Sequence, residues 1–111
     1  MPECHCMTPP FSFKDYDSQL LGVDETNGRF GEVSIETCRA CGSMWLRYFV
    51  EYEAFSESGR WYRGQVTPEM VESLTPEQAP QLLAGLPWHF YGGSYFRTTG
   101  RKRCGSVRLD L

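Results

Sequence analysis

Two pairs of cysteines constrain this chain most: Cys4-His5-Cys6 near its start, and Cys38-Arg39-Ala40-Cys41 followed at once by Gly42. Thiolates two or three residues apart are the donor pattern of a tetrahedral metal site, in which sulfur sits about 2.3 Å from the ion. A Cys-x-x-Cys turn delivers two sulfurs to one ion, and the glycine suits the tight reversal because it tolerates positive φ. In an extended segment Cys4 and Cys6 point to one face and His5 points away. The spacing predicts a closed set of four sulfurs, Cys4, Cys6, Cys38 and Cys41, holding a structural Zn2+. A four-thiolate iron centre is the alternative for the same ligands, and His5 in place of one cysteine is another.

Five cysteines in 111 residues also raise the reading of a disulfide framework. An odd count, at the head of a chain whose start lacks the basic and apolar regions of a signal peptide, fits metal binding in a reducing compartment better. The expectation is cytoplasmic residence with no membrane association, since no apolar run approaches the length of a span. The length predicts one domain over residues 1–111, and the 16 aromatic residues supply a compact interior rather than a disordered coil.

The strand signals are strongest in the middle of the chain. From Gly31 to Thr37, Val33 and Ile35 alternate with Glu32, Ser34 and Glu36, the period of a half-buried strand. From Met44 to Phe55 a second strand places Leu46, Tyr48, Val50, Tyr52 and Ala54 on one face. Ser56-Glu57-Ser58-Gly59 is a hairpin loop, and residues 60–66 return. Thr67-Pro68-Glu69 and Thr75-Pro76-Glu77-Gln78 each set a hydroxyl before a proline, the start signature of a short helix, and the second also forms a capping box. Phe11-Ser12-Phe13, Trp88 to Tyr91, Ser94 to Thr98 and Ser106 to Leu109 have strand composition, with Gly92-Gly93 and Gly100 as breaks. Between residues 14 and 27 no clean period emerges, although Leu20, Leu21 and Val23 are expected to reach the core. The fold class is therefore α+β: an antiparallel sheet of four to six strands with a zinc knuckle and two short helices.

Cys38-Arg39-Ala40-Cys41-Gly42 and the hairpin from Met44 to Val66 resemble the second knuckle and strands of the zinc ribbon, or rubredoxin-like, group. The likeness covers residues 4–6 and 38–66. It departs from that group in a Cys-x-Cys first pair, in the 31 residues between Cys6 and Cys38, and in residues 67–111, which have no counterpart. What it implies is the ligand role and the ribbon hairpin, and no particular activity.

Charge is unevenly distributed. The chain carries a net -3, yet residues 97–111 alone carry five basic groups and one acidic, so the rest is an acidic body. Arg97, Arg101, Lys102, Arg103 and Arg108, close to Tyr95 and Phe96, have the composition of a nucleic-acid contact; a solvated hairpin with gatekeeping charges is the plainer reading. Cys104, flanked by Arg103 and Gly105, is either an activated thiol or a plain one, and the second is favoured because no histidine lies near it in sequence. His89 reads as a hydrogen-bonded strand residue, and Asp15, Asp17, Asp24 and Glu25 as solvated turn carboxylates. No phosphate-cradling loop, nucleophile elbow or metalloprotease helix is present, so no enzyme is expected. The expected function is recognition of another protein, in the manner of an immunity or antitoxin protein masking a basic surface. A nucleic-acid-binding zinc ribbon is the alternative, and the sequence is silent on oligomeric state.

Overall fold

The computed structural model describes residues 4–107 and 109. It is a six-stranded antiparallel sheet in which spatial order follows chain order: β1 (Tyr16–Asp24), β2 (Gly31–Cys38), β3 (Met44–Val50), β4 (Arg60–Val66), β5 (His89–Gly93) and β6 (Thr98–Arg103). Two short helices, α1 (Pro68–Val71) and α2 (Ala79–Gly85), connect β4 to β5. The α+β class, the antiparallel sheet and the two helices are as the sequence predicts.

The two faces of the sheet differ in kind. On one, Val33, Leu46, Tyr48, Val50, Tyr62 and Val66 are buried beneath α2, which contributes Ala79, Leu83 and, just beyond its end, Leu86. Gly64 makes this approach possible: a Cβ there would strike the side chains of Leu83 and Leu86. Both helix starts are capped as expected. Thr67 Oγ1 accepts from the Met70 amide at 3.4 Å, and Thr75 and Gln78 form a reciprocal capping box. Pro80 delays the second helix, so that a 3-10 turn over Pro76–Gln78 precedes α2.

On the other face, a segment spanning residues 4–15 lies across an aromatic cluster of Tyr16, Trp45 and Phe90, joined by Phe11, Trp61 and Trp88. The Phe11 ring is 5.1 Å from Phe90 and 5.8 Å from Trp61. This strap crosses β6 at Gly100, where a Cβ would come within 2.5 Å of Pro9.

The structure corrects several expectations. Phe11-Ser12-Phe13 is no strand: the Asp15 amide donates to the Ser12 carbonyl, a 3-10 turn forms over Phe13–Asp15, and Phe13 is turned out to solvent. Residues 16–24, which show no clean period, are β1. A bulge between Leu20 and Gly22 inverts the alternation, so Tyr16, Ser18 and Leu20 share one face while Gly22 and Asp24 take the other. Leu20 and Val23 are consequently exposed, and only Leu21 packs on the core.

β3 stops at Val50 because Ser58 captures the backbone of Tyr52, its hydroxyl oxygen 2.9 Å from the amide and 2.8 Å from the carbonyl. Residues 94–97 form a turn rather than a strand, with the Tyr95 amide donating to the Gly59 carbonyl at 2.8 Å. Gly100 lies inside β6 and does not break it. Ser106 and Val107 are not in a strand, and residue 108 of that expected segment lies outside the described residues.

Candidate metal centre

The strap and the turn between β2 and β3 bring four sulfurs together. The Sγ atoms of Cys4 and Cys38 are 3.6 Å apart and those of Cys6 and Cys41 3.5 Å, with all four within 4.8 Å of one another. A tetrahedral ion with metal–sulfur bonds of about 2.3 Å has sulfur–sulfur edges of about 3.8 Å, so this donor set fits one metal ion. It is the one such group found among the described residues. All four predicted ligands are in it.

Local geometry explains how each sulfur arrives. Cys38 ends β2, its amide donating to the Ser43 carbonyl at 2.8 Å, and the Gly42 amide returns to the Cys38 carbonyl at 2.9 Å. That closes a turn with Gly42 at φ 78°, the left-handed region expected of it. At the other end, Cys4 and Cys6 converge through a 3-10 turn over His5–Met7, not through extended backbone as the spacing argument assumed. The turn is closed by the Met7 amide on the Cys4 carbonyl at 2.9 Å. His5 points its Nε2 toward Asp15 at 3.5 Å and sets its Nδ1 3.7 Å from Cys4 Sγ, beside the four grouped sulfurs rather than among them. The knuckle is anchored to β1 by Arg39, whose amide donates to the Asp15 carbonyl and whose Nε lies 3.0 Å from Asp17.

The electrostatics within the cluster are uneven. Cys6 and Cys38 are buried against Tyr16, Trp45 and Phe90, whereas Cys41 is exposed. Burial first, then the neighbouring sulfurs, push the Cys6 thiol up to about 12. The Ser43 hydroxyl, 3.2 Å from Cys41 Sγ, and the Ser43 backbone bring Cys41 down to about 6. A cation entering the group displaces the thiol protons, and the charge it brings offsets the burial that holds the Cys6 thiol protonated. Four protein sulfurs around one tetrahedral ion would leave no open coordination position for a substrate.

The other sequence-selected residues are dispersed. On β6, Lys102 faces the aromatic side with its Nζ 4.1 Å from the Trp88 ring centre, while Arg101 and Arg103 project to the helix-covered side. Arg103 stacks 4.4 Å over Tyr91 and donates to the Ser106 carbonyl. Arg97 is exposed with its Nη2 3.3 Å from Glu57, and Arg108 lies outside the described residues. Cys104 is exposed and apart from the four-sulfur group. His89 is fully buried edge-on to Tyr62, and burial, reinforced by the Arg103 charge, holds it below the ordinary histidine range.

Four buried charged groups, Asp24, Glu36, Arg60 and Arg63, escaped the sequence reading. Asp24, read as a solvated turn carboxylate, has no exposed surface: it accepts from the Tyr48 hydroxyl at 2.6 Å, Arg29 at 2.9 Å and the Thr26 amide at 3.0 Å. Burial alone would raise its carboxyl, but these bonds prevail and bring it down to about 2. Arg63, on the aromatic face, donates to Glu36 and stacks over Tyr16 and Phe11. The two side chains come from β4 and β2, separated by β3, and only the full sheet register could have paired them. Comparison with protein-family models, curated proteins and solved structures finds no match to this chain.

Proposed function

We propose that this chain is a zinc-stabilised binding domain that acts without catalysis, by docking another protein through a basic surface on that partner. The observation that carries this reading is a groove of about 410 Å³ lined by the loop after β1 and the loop after β3, including Phe30, Tyr52, Phe55, Glu51 and Glu53. Phe30 and Phe55 are 67% and 61% exposed. Aromatic side chains offered in this way are the usual anchors of protein interfaces. Phe30 also holds φ at 49°, a left-handed conformation costly for an aromatic residue. The one cation in the groove, Arg29, is committed to Asp24, so Glu51 and Glu53 set its sign. An acidic groove with aromatic anchors complements a basic patch, as in an immunity or antitoxin protein that masks a toxin.

Zinc is the metal proposed, because four thiolates in a closed tetrahedron are its commonest structural site, and the resemblance of the knuckle to zinc ribbons points the same way. Elemental analysis of the purified protein should give one zinc per chain.

The docking itself is tested by calorimetric titration with purified proteins encoded beside the gene, using the wild type, Phe55→Ala and Glu53→Lys. One partner should bind and lose at least about tenfold in affinity with either substitution. No binding across the set, or binding indifferent to both changes, would sink the reading.

A further inference from the structure

A second cavity, sharing no residue with the groove above, lies on the aromatic face between the strap and β6. It measures about 380 Å³; Phe11 and Trp61 form its walls, and Arg47, Arg63 and Thr99 also line it. Arg47 and Arg63 are directly opposite each other on β3 and β4, so two guanidinium groups project from neighbouring strands onto one face. No carboxylate lines this cavity. The nearest acids, Glu32 and Glu36, line the adjoining depression toward β1, and Glu36 is already engaged by Arg63.

The state of the two arginines is what makes the cavity informative. Arg63 is 2% exposed; it uses Nη1 on Glu36 and leaves Nε and Nη2 without a partner. Arg47 is half-buried, packs 5.3 Å from the Phe49 ring, and makes no hydrogen bond or ion pair with any described residue. Burial lowers its pKa and the Arg63 charge adds to this, while Glu36 and Glu32, which line the adjoining depression with it, act in the opposite direction. Desolvating a guanidinium without an anion is unfavourable, and sheets rarely place two like charges directly across from each other. An oxyanion from solution that meets Arg47 offsets the repulsion between the two arginines, because guanidinium groups bind carboxylate and phosphate through charge-assisted hydrogen bonds.

We propose that this cavity binds a small organic oxyanion, a carboxylate or phosphate carried on a flat aromatic body, with Arg47 in contact with the anion and the ring resting on the wall formed by Phe11 and Trp61, whose own rings meet edge to face. Arg63 acts at one remove: locked between Phe11 and Tyr16, it supplies a fixed positive field while Arg47 supplies the donors. The division follows from exposure, since a ligand reaches Arg47 and does not reach the buried Nε and Nη2 of Arg63. A cavity of this size, mainly apolar with a few convergent polar groups, has the character of a small-molecule site.

The test is a titration of the metal-loaded protein with benzoate and with phenyl phosphate, followed by tryptophan fluorescence and amide chemical shifts. Benzamide and inorganic phosphate serve as controls that retain the ring and the charge respectively. Benzoate or phenyl phosphate should saturate the signal at Trp61, Arg47 and Thr99, and either control should bind at least about tenfold more weakly. Arg47→Gln should weaken the bound anion at least about tenfold, and Arg47→Lys by less. The proposal is overturned if neither anion saturates, if benzamide binds as well as benzoate, if inorganic phosphate binds as well as phenyl phosphate, or if a folded Arg47→Gln protein binds like the wild type. Should Arg47→Gln not fold, the ring and charge controls on the wild-type protein decide alone.

Discussion

The two faces of the sheet solve the same burial problem with different chemistry. The helix-covered face is closed by aliphatic packing, Leu83 and Leu86 settling over Gly64 against Leu46 and Tyr62. The strapped face is closed by residues 4–15, a segment with two single-turn 3-10 helices and no longer element, which meets the sheet mainly through aromatic rings and sulfur. A strap of this kind has little local preference for its position and must be tied down. The four-cysteine cluster is placed to do that, since one ion held there would join Cys4 and Cys6 to the β2–β3 turn. One face is thus closed by area, and the proposed metal would give the other a cross-link.

That contrast can be broken in three places. The largest effect is expected from the cross-link: Cys38→Ser, or a strong chelator added to the wild type, should release the metal. The loss is about 4 kcal/mol if the free ion stands a thousandfold above its dissociation constant. Denaturant titration with and without chelator measures it. Hydrogen exchange should show protection lost first around Phe11, Trp45 and Phe90 and retained around Leu46 and Tyr62; an equally stable metal-free protein would refute the staple. Next is Leu83→Ala, which removes the centre of the helical cover and should cost about 3 kcal/mol by the same titration while leaving metal content unchanged.

The smallest is acid sensitivity at Asp24. Its folded pKa, about 2, is below the ordinary carboxylate value, so its contribution is present above about pH 4 and is lost as pH falls toward 2. The loss is about 2 kcal/mol, and Asp24→Asn should flatten that limb of the stability profile.

How much of this was legible in the chain depended on how local the signal was. β2 and β4, the paired Thr-Pro caps and the four thiols are local patterns: each is written in a handful of consecutive residues, and each is found where the sequence places it. β1 was hidden because its bulge at Leu21 reverses the alternation midway, which averages a period of two to nothing. Phe13 was read with Phe11 because spacing alone cannot see the Ser12 to Asp15 turn that sends the two rings apart. The buried charges were hidden for a different reason. Glu36 and Arg63 each occupy positions that look solvent-facing within their own strand, and the rings stacked on Arg63 come from Phe11 of the strap and Tyr16 at the start of β1. A face covered by a distant segment leaves no mark on its own sequence.

The bulge in β1 has a further consequence for the open ends of the sheet. β1 and β6 are the outer strands of the sheet, each with a neighbouring strand on one side only. Such borders recruit foreign strands and seed aggregation when they are long, flat and uncharged. At β1 the bulge curls the border out of plane beside the exposed Leu20 and Val23, the two apolar side chains that would otherwise favour a second copy. At β6 the same protection comes from Arg101, Lys102 and Arg103 in succession. Straightening β1 by deleting Leu21 would rejoin the alternation and remake it as a strand to which another molecule could add, turning a discrete sheet toward a fibre.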